Sequence, residues 1–372
     1  MSRVNPVTMT PLRPQLEKMN FFKRMQGQNS TVGLDIGNHS LKLVKLRHHK
    51  DTYHLEATGI KELPKGTIEN GEIRKRDQLI ESITHLINQC DPSIVEVVFS
   101  MGGTGIISDK ITFTIEDESN SDELILWEAS QRSPFDVDDI TLDYKILRRY
   151  PETNEAEVLL VAAKNQIMQD YIDLLYDAGL KPVIVDVNAF ATTNSYALEC
   201  GGLPDMGTVA LLNVGHYMTN VTFIKDGIYH STRDISTAGE FFNRTLQRNM
   251  GLSSEEALYA IKGKTTTALD MNLLKQSVGY AAEELSSGID LAFSYYKSSE
   301  KSDSIDKIVL SGGGAYIPSL TQFLETRHQT KVVISNPLSC VQYNPSLFGG
   351  VDIQNISALL TVAVGLALRK VG

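Results

Sequence analysis

Two stretches of the chain share one pattern of apolar and polar positions. Residues 31–46, TVGLDIGNHSLKLVKL, and residues 211–227, LLNVGHYMTNVTFIKDG, each set two apolar runs around a short polar tip that carries a glycine. The pattern predicts paired strands joined by a tight turn, at Gly37 in the first stretch and Gly215 in the second. Around the first copy, residues 52–60 read as a third strand and 63–73, LPKGTIENGEI, as turn-rich chain. In RDQLIESITHLINQC (76–90), Leu79, Ile80, Ile83, Leu86 and Ile87 fall on one helical stripe, and IVEVVFSM (94–101) reads as a buried strand. Strands followed by a crossover helix and another strand give an α/β pattern.

From about 106 to 164 the texture changes to a β-α-β-β block: DKITFTI, a helix SDELILWEASQRS ended by Pro134, then ITLDYKILRRY and EVLLVAA. An amphipathic helix at 165–180 closes at Gly179, and PVIVDVN follows as a strand. The second copy of the hairpin, 208–228, opens a second α/β unit. Its helices are GEFFNRTLQRNM, ended by Gly251, and SSEEALYAIK, opened by a Ser253–Glu256 capping box. A long helix follows, with Leu274, Val278, Ala282, Leu285, Ile289, Ala292 and Tyr296 on one face. IDKIVLSGGGAYIPSL (305–320) reads as strand, glycine loop and helix start, and 355–370 as an apolar helix. The expected organisation is a basic, partly disordered tail at 1–30 and a first lobe at 31–105 and 165–200 with an inserted α+β subdomain at 106–164. A second lobe at 201–354 and a C-terminal helix at 355–372, packing back on the first lobe, complete it.

Composition narrows the function. A net charge of −10 over 372 residues argues against a nucleic-acid binder. Three cysteines, Cys90, Cys200 and Cys340, with no CxxC spacing suit a reducing compartment and give no disulfide framework. The longest apolar run, at 356–368, is shorter than the roughly 20 residues that span a bilayer, so a cytoplasmic location is expected. The first 30 residues are basic and carry MNFFKRM at 19–25, which reads as a tail docking on the domain or as a weak anchor for an anionic membrane or partner.

The chemistry concentrates at three turns. Asp35-Ile36-Gly37 and Asn213-Val214-Gly215 each aim backbone N–H groups into one concavity, a nest that can hold phosphate. A carboxylate there is compatible with phosphate when Mg²⁺ or its water shell lies between, and Lys42 on the returning strand can neutralise a phosphate oxygen. Gly312, Gly313 and Gly314 let the backbone approach a flat ligand. One D-x-G turn alone is an ordinary β-turn. Two of them, in related lobes and followed by a strand–glycine loop, form the pattern of the actin, hexokinase and heat-shock chaperone superfamily: a two-lobed α/β ATPase fold.

The chain resembles the family of type IV pilus assembly protein PilM, relatives of FtsA. The resemblance runs from FFKRM to the end and rests on VGLDIGNHSLKLVKL, LPKGTIENGEI, SPFDVDDITLDYKIL, EVLLVAAKNQIMQDYIDLLYDAGLKPVIVDVNAFA, FIKDG and VLSGGGAYIPSL. It implies an ATP- and Mg²⁺-binding scaffold, peripheral at the cytoplasmic face of the inner membrane. Such a scaffold docks the N-terminal peptide of PilN beside the inserted subdomain, meets other inner-membrane pilus assembly proteins and the motor ATPases, and is able to form homo-oligomers. Asp35, Gly37, Asn38, His39, Ser40 and Lys42 match the first phosphate hairpin, and Asn213 and Gly215 the second. Gly312, Gly313 and Gly314 match the adenosine loop, Lys262 a lysine bordering the adenine, and Asp186 the acid of the segment connecting the lobes. The resemblance makes Asp35 and Asp186 the catalytic acids, with Asp35 also the metal contact. Phe135, Val137 and Ile140 are candidates for the peptide groove or for the subdomain's own core.

Three positions depart from the family pattern: Asn213 replaces the usual Asp, Tyr259 stands near where a glutamate contacts adenosine, and Asn188 stands where an acid is frequent. Loss of a carboxylate weakens Mg²⁺ organisation and activation of water, so ATP binding with weak or absent hydrolysis is expected. A filament-forming protein like FtsA and a small-molecule kinase on the same fold are the alternatives.

Overall fold

Alternation of apolar and polar residues in the first hairpin becomes β1 (Ser30–Ile36) and β2 (Ser40–His49), continued antiparallel by β3 (Thr52–Glu62). The computed structural model describes residues 30–49, 52–69, 71–114, 127, 136–204, 206–264, 269–300 and 304–370. The tail before Ser30, the expected helix at 121–133 apart from Trp127, and Phe135 lie outside the described residues.

The chain divides into two units: residues 1–194, 341–347 and 362–372, and residues 195–340 and 348–361. In the first unit, a short hairpin of β4 (Ile68–Glu69) and β5 (Glu72–Ile73) leads to α1 (Arg76–Cys90) and β6 (Glu96–Met101), parallel to β1. The predicted stripe of α1 is inward: Leu79, Ile83, Leu86 and Ile87 are buried. A separate sheet follows, with β7 (Ile106–Thr114) and β8 (Ile140–Tyr150) as edges of a central β9 (Glu155–Lys164). Its own small core joins Ile111, Val158 and Leu160. After α2 (Asn165–Asp177), β10 (Lys181–Val187) pairs parallel with β6, and α3 (Asn188–Cys200) begins. Sheet order is β10-β6-β1-β2-β3.

The second unit repeats this order. Antiparallel β11 (Thr208–Val214), β12 (Thr219–Lys225) and β13 (Ile228–Ile235) precede α4 (Gly239–Met250), α5 (Ser254–Ile261) and the long α6 (Met271–Glu300). Next, β14 (Lys307–Ser311) pairs parallel with β11, and, after α7 (Leu320–His328), β15 (Lys331–Ile334) pairs parallel with β14. The order β13-β12-β11-β14-β15 is that of the first unit strand for strand: three antiparallel strands, then two parallel ones. The predicted apolar face of α6 forms much of the core, where Leu274, Val278, Ala282, Leu285, Ile289, Ala292 and Tyr296 meet Phe223 and Phe242. Gly251 ends α4 with φ 67°, and Ser253 and Glu256 form the capping box in both directions.

The C-terminal helix is shorter than its apolar run suggests. It becomes two 3₁₀ turns and then α8 (Thr361–Ala367). Ala358 explains the break: its N–H donates to the Tyr316 hydroxyl at 2.9 Å, and its carbonyl accepts from Gly312 N–H at 2.9 Å. Its backbone therefore serves the glycine loop instead of a helical ladder. Beyond that break, α8 lies on the first unit's sheet at backbone contact. A Cβ at Gly33 would overlap the Ala363 carbonyl, and one at Gly365 would overlap that of Ala191. Val98, Ala191, Val362 and Leu366 fill the rest of this layer.

Candidate functional site

The two hairpin tips have the same construction. Asp35 pairs across β1–β2 with Lys42, Ile36 pairs with Leu41, and residues 37–40 form the tip. Asn213 pairs with Asn220, Val214 pairs with Thr219, and residues 215–218 form the tip. Gly37 N–H donates to Ser40 O at 3.2 Å, and Gly215 N–H donates to Met218 O at 3.0 Å, closing equivalent turns. Both glycines are needed for space. A Cβ at Gly37 would lie 3.0 Å from Lys42 Nζ and Ser40 O, and one at Gly215 2.8 Å from Met218 O.

Charge distinguishes the copies. Lys42 Nζ sits 3.0 Å from Asp35 Oδ2 with both side chains mostly shielded, and it also donates to Ser40 O at 3.3 Å. The first tip thus holds a carboxylate and an ammonium side by side, a donor set suited to a metal-chelated phosphate. In the second tip both positions are amides. The replacement of Asp by Asn213, visible in the sequence, is matched by Asn220 in the place of the lysine, a difference legible only once the registers are aligned. The Asn220 amide turns outward along the sheet, donating to Asp234 Oδ1 and Thr232 Oγ1, both at 2.8 Å. His39 lies 3.9 Å from Glu62, and its carbonyl accepts from Leu63 N–H at 2.8 Å, so that residue ties the first tip to the end of β3. Asn38, between Gly37 and His39, is partly exposed.

The second tip is braced by α4. Gly239 N–H donates to Gly215 O at 3.0 Å and Glu240 N–H to His216 O at 2.7 Å. The helix therefore spends its first amides on the hairpin's carbonyls. Glu240, buried, stands 3.5 Å from His216 Nε2 and accepts from Arg244 Nε at 2.9 Å.

The glycine loop packs on the same hairpin, and its three residues have different jobs. Gly312 has φ 77°, and a Cβ there would lie 2.5 Å from Asn213 Oδ1 and 2.6 Å from Val214 O. A Cβ at Gly314 would overlap the Val214 side chain. These two glycines are demanded by the close approach of β11. Gly313 is exposed, and a Cβ there would meet only Leu359 Cδ2, at 3.6 Å. Of the three, Gly313 is the one that presents open backbone.

Asp186, a catalytic acid on the family resemblance, lies near the end of β10. It pairs in register with Ser100, and continuing the β1–β6 register by one residue sets Asp35 level with Ser100 as well. Its carboxylate, however, is fully buried and doubly bonded by Arg369, itself 2% exposed. Asn188 accepts from Ser100 Oγ at 2.6 Å and packs against Gly102. Glu256 is occupied by its capping box, whose Ser253 N–H and hydroxyl hold its carboxyl below the ordinary range. Glu255, Tyr259 and Lys262 are all exposed, at the i, i+4, i+7 spacing of one helical face. Ile140, the first residue of β8, is buried, which favours a role in the subdomain's packing over an open groove wall. For Val137, in a 3₁₀ turn, only the backbone is described, and Phe135 lies outside the described residues.

Known proteins give this arrangement a context. The sequence profile of the family described as type IV pilus assembly protein PilM matches residues 33–371. The chain belongs to the PilM family. Its fold is similar to that of a protein from the PilM–PilN type IV pilus biogenesis complex, with TM-score 0.80 and 23% identity over 92% of this chain and 98% of that one. The ethanolamine utilization protein EutJ from Carboxydothermus hydrogenoformans matches with TM-score 0.56 and 14% identity, over 97% and 92% of the two chains. MreB5 of Spiroplasma citri bound to ADP matches with TM-score 0.51 and 10% identity, over 91% and 95%. PilM, EutJ and MreB share the actin-like ATPase fold with this chain. Among the described residues, no three metal-ligating side chains cluster and no helix is long and apolar enough to cross a membrane.

Proposed function

We propose that this chain binds ATP with Mg²⁺ and acts as a scaffold of type IV pilus assembly at the cytoplasmic face of the inner membrane. Its output is the docking of the short N-terminal peptide of a PilN-type inner-membrane protein. The observation that carries the reading is the PilM family match across residues 33–371, supported by the likeness in fold to the partner-bound PilM–PilN complex.

In this reading Asp35 is the one carboxylate offered to the metal, through its water shell, as suits an ion that keeps most of its waters. Lys42, held 3.0 Å from Asp35, neutralises phosphate, and the N–H groups of Asn38 and His39 orient it. Asn213 and Gly215 give a neutral second cradle, and Gly313 backs the adenosine, with Lys262 on an exposed helix face beside it. When bound, Mg²⁺ supplies charge neutralisation of the phosphates. Asp186, engaged by Arg369, is a positioning residue. With amides at both Asn213 and Asn220, neither strand-end position of the second tip offers a carboxylate base, so hydrolysis is slow and ATP serves as a ligand that selects one conformation.

The peptide adds a strand to an edge of the inserted sheet, whose outer strands are β7 and β8. Two measurements test the reading. Calorimetric titration of ATP–Mg²⁺ should show binding that Asp35→Ala weakens by about tenfold or more. Pull-down with the first ten or so residues of a PilN-type partner should show capture that depends on nucleotide. Turnover above roughly 1 per second, within the range of kinases, or no capture in either nucleotide state, would overturn it.

A further inference from the structure

The long helix α6 has a second organised face that its core packing does not use. Leu273, Tyr280, Leu291 and Tyr295 follow one line along the helix, with Glu284 and Ser287 between them. Tyr280 is 55% exposed, Leu291 59% and Tyr295 58%. From residue 273 to residue 295 this line runs about 33 Å.

An arginine stands over the tyrosine in each half. Arg248 of α4 lies 5.9 Å from the Tyr280 ring, and Arg233 of β13 lies 5.9 Å from the Tyr295 ring. Neither makes an ion pair among the described residues. The polar bonds of Arg248 and Arg233 are to Asn249 Oδ1 at 3.5 Å and to the Thr232 carbonyl at 2.8 Å. The acids on the flank of the line, Asp290 and Glu283, share Arg327, at 2.8 Å and 3.5 Å, and His328 lies 3.4 Å from Asp290. Glu284 is the one exposed acid on the line itself.

At the Arg248 end the surface is hollow. A shallow cavity of about 430 Å³ is lined by Arg248, Asn249, Leu273, Gln276, Ser277 and Tyr280. Phe241 stacks on Tyr280 from behind, ring centroids 6.4 Å apart, which fixes one wall. Asn249 donates to the buried Ser277 hydroxyl at 3.3 Å. Tyrosine and arginine are among the residue types enriched at the energetic hot spots of protein interfaces.

We infer that this face docks an acidic amphipathic helix of a partner protein. The argument is charge complementarity on a face whose apolar line is straight and helix-length. The occupant carries apolar residues at i, i+4, i+7 and i+11. Its carboxylates sit about 15 residues apart, matching the roughly 22 Å between Tyr280 and Tyr295, and a basic residue opposes Glu284. The inference is independent of the nucleotide-binding and peptide-docking proposals, since it uses neither hairpin nor the inserted sheet.

The test uses two fluorescein-labelled 22-residue helical peptides with that same apolar line. One carries glutamates at the two ends and a central lysine, and the other has every charge reversed. Anisotropy titration with the full chain should give micromolar binding for the first and binding about tenfold or more weaker for the second. Arg248→Glu, Arg233→Glu and Tyr280→Ala should each weaken the first peptide about tenfold, with ATP–Mg²⁺ affinity and melting temperature unchanged. If Tyr280→Ala fails to fold, the exposed Arg248→Glu and Arg233→Glu variants carry the test. Equal binding of both peptides, or no binding at 200 μM (about −5 kcal/mol), overturns the inference. So does a homodimer in sedimentation that Tyr280→Ala disperses, since a second copy is then the occupant. Flotation with phosphatidylglycerol vesicles that Arg248→Glu abolishes, without peptide binding, overturns it in favour of a lipid surface.

Discussion

The carboxylate of Asp186 accepts two hydrogen bonds from the guanidinium of Arg369, 2.6 Å from Nε and 2.5 Å from Nη2, inside the first unit. Both side chains are almost completely buried. The Arg369 carbonyl in turn accepts from the Thr31 hydroxyl at 3.1 Å, so the chain just after α8 is fastened to β1 and β10 together. Burial lowers the Lys145 amine, and the charge of Arg369 lowers it further.

Removing one partner of such a pair leaves an uncompensated buried charge. Arg369→Ala should therefore cost about 3–5 kcal/mol of unfolding free energy, while Asp186→Asn combined with Arg369→Met should cost less than Arg369→Ala alone. Denaturant unfolding of the three variants checks this. A double variant no more stable than Arg369→Ala would show that the ion pair is not what Arg369 contributes.

The glycine loop separates stability from ligand binding. Gly312→Ala and Gly314→Ala each drive a methyl into β11, at Asn213 and Val214, and should destabilise the fold by about 1–3 kcal/mol as overpacking does. Gly313→Ala has room and ordinary backbone angles, so it should leave stability within about 0.5 kcal/mol. On the proposed adenosine role, it should nevertheless weaken ATP. Thermal melts with and without nucleotide distinguish the two effects.

Thiol reactivity should divide the cysteines. Burial, with a smaller contribution from the Asp91 charge, raises the Cys90 thiol to about 11. Cys200 and Cys340 are exposed. Because the thiolate is the reactive form, Cys90 should alkylate about a hundredfold more slowly than an ordinary thiol at neutral pH. Mass mapping after a timed pulse of iodoacetamide reads this, and denaturant should erase the difference.

Acid should weaken the first unit through Asp91. Its carboxylate accepts from Lys45 Nζ at 2.7 Å and from the Ser93 hydroxyl and N–H, and these bonds hold its pKa down to about 2. A depressed folded pKa means that the contribution is complete above the unfolded value, about 4, and is lost as pH falls from there to about 2. Stability measured across that window should fall less steeply in Asp91→Asn than in wild type.

Sequence and structure divide the site along a physical line. The hairpins, the glycine loop, the α1 stripe, the core face of α6 and the Ser253–Glu256 box were legible because each signal is local: turn residues, strand alternation, helical spacing and cap chemistry act within a few residues. The Asn213 departure was equally plain. Its companion Asn220 was within reach, since counting the same register from Gly215 as from Gly37 finds it. The Asp186–Arg369 pair was not legible, because 183 residues separate its members and no periodicity links them.

The chain by itself determined the class of fold, the duplicated hairpin and membership of a family, because those depend on patterns repeated over the whole length. Tertiary structure alone decided which polar groups are occupied. It buried Asp186 under Arg369, spent Glu256 on a cap and gave the backbone of Ala358 to the glycine loop. It also left Arg233 and Arg248 without carboxylates beside exposed tyrosines. Burial and pairing are properties of neighbours in space, and a charge's function follows from whichever neighbour reaches it first.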